Sequence, residues 1–278
     1  MNKAAGSAEV KNVGVIGAGR MGTPIIGHLV RKGFATQVCD VNAARADAVS
    51  KLGAKRVADP GSLAEGSDAI LICVGFDREV RELLAAGGPL SRARPGTIVA
   101  ILSTIHPRTV QKLAKECESA KLYVVDSTVC RGGEAADQGT LLSFVGGSAE
   151  VVARLTPVLR AYSADVVHTG GVGTAQVAKA ANNLILWACL VADHEALALA
   201  QHYGADIEVL RKALLISSCA NGPLEKWGTQ TMAWAEDDMA IVAEMAAEAG
   251  IALPQAGVNR EICHALKPRR YKLERYGR

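Results

Sequence analysis

Lys179, Asn182 and Asn183 place one cation and two amides at positions i, i+3 and i+4 of a stretch that is otherwise apolar. On a helix those positions share one face. Burying such groups costs several kcal/mol, roughly, unless they find partners, so the trio is expected to meet a substrate. Lysine serves general acid–base chemistry, donating a proton as the ammonium and accepting one as the amine. The alternative is a lysine that snorkels to solvent. The two amides on the same face, and Gly170, Gly171 and Gly173 just before it, favour the chemical reading. Ordinary lysine is a poor base at neutral pH, so apolar surroundings and the helix N-terminus some two turns away would have to favour the free amine.

The stretch that carries the trio reads as helix over residues 173–203, with no Gly or Pro between Gly173 and Gly204. Some thirty residues at about 1.5 Å each form a rod of about 45 Å, and apolar residues surround most of it, so burial on more than one side is expected.

A second constellation lies near the start. An apolar strand, Asn12-Val13-Gly14-Val15-Ile16, runs into Gly17-Ala18-Gly19-Arg20-Met21-Gly22, then a helical segment, then a second strand that ends at Asp40, 23 residues beyond Gly17. Glycines let a strand turn sharply into a helix and let backbone approach a pyrophosphate, which the helix N-terminus favours. A carboxylate at the end of the second strand can bond the ribose hydroxyls of an adenosine. The alternative is that the glycines only shape a tight turn. Asp40 would repel a 2′-phosphate, so NAD is expected over NADP, with Asn42 and Arg45 close enough to leave the choice open.

Strand and helix patterns alternate to about residue 168: helix over 43–52, a short strand at 56–57, a short helix over 59–66, strand 68–74, helix 78–86, strand 97–102, helix 107–120 and strand 122–125 ending at Asp126. Such alternation predicts a doubly wound parallel sheet of Rossmann type, with ligands at the carboxyl ends of the strands. Val74, Gly75, Phe76, Ser103 and Thr104 therefore join the cofactor-site candidates. Ser103 and Thr104 are equally readable as an N-cap before Pro107. Residues 126–147 predict a Gly- and Ala-rich loop, whose N–H groups near Cys130 could form an anion-binding concavity, and then a strand. A helix over 149–162 and a strand at 165–168 follow. Beyond the long helix, 207–215, 221–231, 237–248 and 254–266 all look helical. The expected division is a leader at 1–11 without structure, a dinucleotide domain at 12–169, and an all-α domain at 170–278 that serves substrate binding and dimerisation. The long helix joins the domains and would place its Lys179–Asn183 face in the cleft between them.

Composition excludes several classes. With 278 residues, 49% hydrophobic and 21% charged, the chain can bury a large core. Aromatic residues are only 4%, so aliphatic side chains must build it. A net charge of +3 gives no nucleic-acid signal, and the basic tail (Lys267, Arg269, Arg270, Lys272, Arg275, Arg278) reads as a solvated terminus. Seven scattered cysteines without a C-x-x-C predict reduced thiols, and the histidines show no metal-ligand spacing. No run of eighteen apolar residues is unbroken, so a cytoplasmic protein with no membrane partner is expected.

Four blocks together resemble the β-hydroxyacid dehydrogenases, the family of 3-hydroxyisobutyrate dehydrogenases and tartronate semialdehyde reductases. They are residues 14–22; Asp126 through Gly139-Thr140-Leu141 and Gly146-Gly147; Gly171-Val172-Gly173 with Lys179, Asn182 and Asn183; and Asp238-Met239 with Ile241 and Glu244. The resemblance implies a helical C-terminal domain like that of 6-phosphogluconate dehydrogenase, hydride exchange between NAD and a small anionic β-hydroxy acid or semialdehyde, and a homodimer or homotetramer. It implies Lys179 as general acid/base, aided by the cationic nicotinamide, with Asn183 orienting the substrate. It further implies Cys130, Arg131 and Gly132 around a carboxylate, Asn182 and Asp238 near the substrate, and Thr104 near the nicotinamide. The chain departs from the family at Arg131, where Gly is usual, and at Asp237, where Lys is usual. A guanidinium at 131 could clamp an anion or point to solvent. Trp227, Met232 and Trp234 are expected in the core, and His194 is expected to be structural. The competing functions are an imine or other carbonyl reductase on this architecture, and a catalytically silent nucleotide-binding protein.

Overall fold

The computed structural model describes residues 9–229, 231–267 and 271–276. Most of the expected leader, and Arg269, Arg270 and Arg278 of the basic tail, lie outside the described residues. Val10, assigned to the leader from sequence, is buried in the core, and the backbone N–H of Lys11 donates to Asp68.

The strands are β1 (Asn12–Ile16), β2 (Ala35–Cys39), β3 (Lys55–Arg56), β4 (Ala69–Ile72), β5 (Ile98–Ile101), β6 (Tyr123–Asp126), β7 (Val129–Cys130), β8 (Leu141–Gly146) and β9 (Ser163–Gly170). The first six pair in parallel in the order β3-β2-β1-β4-β5-β6, the Rossmann arrangement. β4 and β5 are buried at every residue, as strands covered on both faces must be. Their alternation feeds two cores: Leu71 and Ala100 pack with Val13, Ile25 and Leu29, while Ile70, Ile72, Val99 and Ile101 pack with Leu83 and Val110. The helices that cover the two faces are α1 (Gly22–Arg31), α2 (Ala43–Ser50), α3 (Pro60–Gly66), α4 (Asp77–Leu84), α5 (Pro107–Cys117), α6 (Gly132–Gln138) and α7 (Ala149–Leu159).

Residues 126–147 differ from their sequence pattern. β7 and α6 replace the expected loop, and β8 runs antiparallel to β6 and β7 before β9 pairs with it in parallel. The Gly-Gly start hides α6 from a propensity reading. Left-handed residues bracket the helix, Arg131 at φ 85° and Gly139 at φ 72°. The N-cap reading of Ser103 and Thr104 is also corrected: His106 caps α5, accepting from the N–H of Arg108.

α8 (Thr174–His202) is the long helix. The chain divides into two compact units between Lys179 and Ala180, later than the boundary expected at residue 170, because the first turns of α8 are bonded to the sheet unit. The second unit contains the rest of α8 with α9 (Ile207–Leu214), α10 (Gly222–Glu225), α11 (Ala235–Ala249) and α12 (Pro254–Leu266), and no strand among the described residues. Trp187, Leu190, Val191, Met239, Val242 and Cys263 form its main core. The helix expected over 221–231 shrinks to α10, after which Gly228 turns left-handed at φ 86°. Met232 is core, whereas Trp234 is half exposed. α8 is long and apolar enough to cross a membrane by length and composition. Its Trp187, Leu190 and Leu197 nevertheless pack against other helices of its unit.

Candidate functional site

The β1–α1 turn explains its own glycines, with one exception. Gly17 adopts φ 100°, and a Cβ there would strike the carbonyl oxygen of Cys73. A Cβ on Gly22 would strike the carbonyl oxygen of Gly17. A Cβ on Gly19 would meet no protein atom within 4 Å. Packing therefore imposes the first and third glycines, while the room at the second faces outward, where a pyrophosphate approaches backbone in this motif. Asp40 completes the turn: one carboxylate oxygen accepts from Ala18 N (2.6 Å) and the other from Asn42 N (2.7 Å). The open second glycine and the carboxylate at the end of β2 fit a nicotinamide dinucleotide.

Around the ends of β4 and β5 much of the polar capacity is used internally. Ser103 is buried; its hydroxyl accepts from Val74 N (3.0 Å) and donates to Val74 O (2.9 Å). The N–H groups of Gly75 and Phe76 donate to Glu79 (3.0 and 2.9 Å), which closes the start of α4. Phe76 presents an exposed ring, and Thr104 is half-buried.

Lys179 is held by a chain of bonds that begins at a buried carboxylate. Asp126, at the end of β6, accepts from Gly173 N (2.7 Å) and Gln176 N (2.9 Å), the free donors at the start of α8. Burial pushes its carboxyl above the usual range, and the backbone donors oppose that shift. Gln176 adds two bonds, accepting from Ile105 N (3.0 Å) and donating to Ser103 O (2.8 Å). Thr128 donates to Ala175 O (3.0 Å). So anchored, α8 delivers Lys179, whose Nζ donates to Val129 O (2.8 Å) and lies 3.9 Å from the Cys130 sulfur. The ammonium is thereby set on the β7 backbone, and Cys130 is buried beside it.

Other sequence candidates have other partners. Asn182 Nδ2 donates to Asn183 Oδ1 (3.0 Å), so the buried Asn183 pairs with its neighbouring amide rather than with Lys179. Arg131 is exposed, and its guanidinium pairs with Asp165 of β9 (2.7 Å) and donates to Thr140 O (3.2 Å). Asp238 accepts from the Trp187 indole (3.1 Å), joining α11 to α8. Arg20 forms a two-pronged pair with Asp137 of α6, both bonds 2.7 Å. No group of three metal-ligating side chains comes together among the described residues. Sequence reasoning missed the positioning roles of Asp126, Thr128 and Gln176; the available signal was a polar residue closing a buried strand, the same signal that identified Asp40.

Comparison with known proteins settles the family. Residues 12–171 match the model described as the NAD binding domain of 6-phosphogluconate dehydrogenase, and residues 173–273 match that described as NAD-binding of NADP-dependent 3-hydroxyisobutyrate dehydrogenase. The chain belongs to the β-hydroxyacid dehydrogenase family. As in its relatives, the chain is an oxidoreductase with a nicotinamide cofactor. The NAD-dependent L-serine dehydrogenase of Pseudomonas aeruginosa is 31% identical over 217 residues, 78% of this chain and 73% of the relative. A 3-hydroxyisobutyrate dehydrogenase of Mycobacterium tuberculosis, solved with L-serine, superposes at a TM-score of 0.85 with 22% identity over 94% of both chains. An imine reductase from Myxococcus stipitatus superposes at 0.68 with 21% identity, over 96% of this chain and 99% of that one. Fold alone therefore does not separate the two chemistries.

Proposed function

We propose that the protein transfers a hydride between NAD(H) and a small β-hydroxy acid or its semialdehyde, with Lys179 as the general acid/base. The observation that carries this reading is the placement of the Lys179 ammonium on Val129 O, at the end of bonds running from Asp126 through the start of α8. A lysine fixed in this way has a defined position for its proton. When bound, the nicotinamide supplies the hydride acceptor or donor. As the free amine, Lys179 Nζ takes the hydroxyl proton in oxidation, and as the ammonium it gives a proton to the carbonyl oxygen in reduction. Asn183 orients the substrate, and Asn182, through its bond to the Asn183 oxygen, fixes which way that amide points.

The backbone of Cys130 and Gly132 holds the substrate carboxylate in this reading. Arg131 shapes that segment through Asp165 and Thr140, and Asp238 acts through Trp187. Thr104 lies beside the nicotinamide, while Val74, Gly75 and Phe76 border the cofactor. Asp40 favours NAD, since its carboxylate suits a ribose hydroxyl and opposes a 2′-phosphate. The names of the relatives suggest L-serine and 3-hydroxyisobutyrate as first candidates. A homodimer or homotetramer is part of the proposal. α8 exposes Ile185 (64%) and Leu199 (62%), with Ala192 between them, at seven-residue intervals on one face. Such a stripe suits helix packing against a second copy.

The test is reduced-nicotinamide formation when each hydroxy acid is offered with NAD or NADP. Turnover with NAD and a β-hydroxy acid supports the reading. Turnover confined to cyclic imines with a reduced cofactor, or none with any hydroxy acid, overturns it.

A further inference from the structure

The Arg20–Asp137 pair lies outside the chemistry assigned above, and it joins two segments that the proposed function uses separately. Arg20 belongs to the glycine turn, whereas Asp137 belongs to α6, which continues directly from the β7 segment that holds Lys179. Both guanidinium prongs meet both carboxylate oxygens at 2.7 Å, the geometry in which an arginine–carboxylate pair is most specific. The same guanidinium lies flat on Gly133: a Cβ there would fall within 2.7 Å of Arg20 Nε. Arg20 thus touches the first turn of α6 and bonds its last. The pairing holds the Asp137 carboxyl below its ordinary range. A second tie lies alongside. His28 of α1 bonds Ala136 O (3.0 Å) and Asp137 O (3.1 Å), and its ring leaves no room for a side chain on Gly139.

We propose that Arg20 is a positioning residue that couples cofactor occupancy of the glycine turn to the order of α6 and, through α6, of the substrate-side segment at Cys130–Gly132. The inference rests on the dinucleotide reading of the turn. An exposed ion pair spends side-chain entropy to hold one geometry. A pyrophosphate at residues 17–22 brings a second anion to the same cation, orders its side chain, and so stiffens the helix that the side chain grips. Binding that rigidifies one segment lowers the ordering cost of the next ligand. Cofactor binding would thereby prepare the carboxylate segment before substrate arrives.

Hydrogen exchange of the full chain, with and without NADH, tests this without turnover. In the wild type, NADH slows exchange at residues 17–22 and, by about threefold or more, at residues 132–139. In Asp137→Asn the slowing at 17–22 persists and the slowing at 132–139 disappears. Arg20→Lys, which keeps the charge but not the fork, behaves likewise at 132–139. His28 keeps α6 docked in both variants. If Asp137→Asn merely loosens α6 by the same factor with and without NADH, Arg20 is structural only and the inference falls. It also falls if NADH protects the turn but not α6 in the wild type. Absence of protection at 17–22 overturns the dinucleotide reading itself, and this inference with it.

Discussion

The two glycine-bearing segments of the first unit are held in opposite ways. In the turn at residues 17–22, backbone presses on backbone: Gly17 against Cys73 O, and Gly22 against Gly17 O. In the segment at residues 131–139, side chains do the holding: Arg131 on Asp165, Arg20 on Asp137, His28 on the last carbonyls of α6. The first arrangement admits no side chain at Gly17 or Gly22. The second rests on ion pairs exposed to solvent, which salt weakens and single changes can tune. A cofactor common to a family suits the rigid turn, and a substrate that differs between members suits the adjustable one.

The sharpest way to break this contrast is at the turn. Gly17→Ala or Gly22→Ala forces backbone apart and should destabilise the first unit by about 4 kcal/mol or more, seen as a collapsed melting temperature or insoluble protein. Gly19→Ala should melt like the wild type yet bind NADH about tenfold more weakly, a cost near 1.4 kcal/mol. Equal stability losses in all three variants would show that Gly19 is also imposed by packing.

Asp126→Asn comes next. The new amide group faces one of two backbone donors at the start of α8, leaving a buried N–H unmatched at a cost of about 1–3 kcal/mol. Turnover should fall more than NADH affinity, because α8 carries Lys179 while the turn is untouched. A variant with unchanged stability and turnover would remove Asp126 from the account.

The second unit supplies a smaller, pH-dependent effect. His194 is buried, donates from Nδ1 to Leu190 O (2.7 Å), and accepts at Nε2 from Tyr271 N (3.1 Å). Burial, the larger cause, lowers its pKa below the ordinary 6.5. Its folded pKa therefore lies below the unfolded one, so its contribution to stability is present above about pH 6.5 and is lost as pH falls through the folded value. Melts from pH 7.5 downward should show this loss, and His194→Gln should flatten it. An unchanged slope in that variant would assign the loss to other groups.

Arg131→Gly should have the smallest effect. It removes an exposed ion pair worth about 0.2–1 kcal/mol and relieves a left-handed non-glycine residue. The expected change in KM for the hydroxy acid is less than about twofold, a difference well under 1 kcal/mol. A tenfold rise would show that the guanidinium leaves Asp165 to grip the substrate.

Legibility in the sequence followed the range of the interactions. β1, the glycine turn, α1 and the terminal Asp40 lie within some thirty residues, and their pattern is local. Lys179 stood out because a cation and two amides interrupt an apolar helix. α6 was illegible: its Gly-Gly start argues against helix, and what stabilises it comes from Arg20 and His28, more than a hundred residues earlier. The partner of Arg131 was equally remote from local pattern, so the clamp and solvent readings could not be separated. The cap that Asp126 supplies to α8 crosses 47 residues to Gly173. The strand end and the long helix were each readable, but not that the one caps the other.

The central claim is that Lys179 moves the proton. Its most direct test is Lys179→Ala, assayed for turnover of whichever hydroxy acid the wild type oxidises, together with NADH affinity by fluorescence. Loss of kcat by about 10²–10⁴-fold, the usual worth of a positioned acid/base, with NADH affinity within about threefold of the wild type, is the expected result. A variant that turns over within tenfold of the wild type would contradict it.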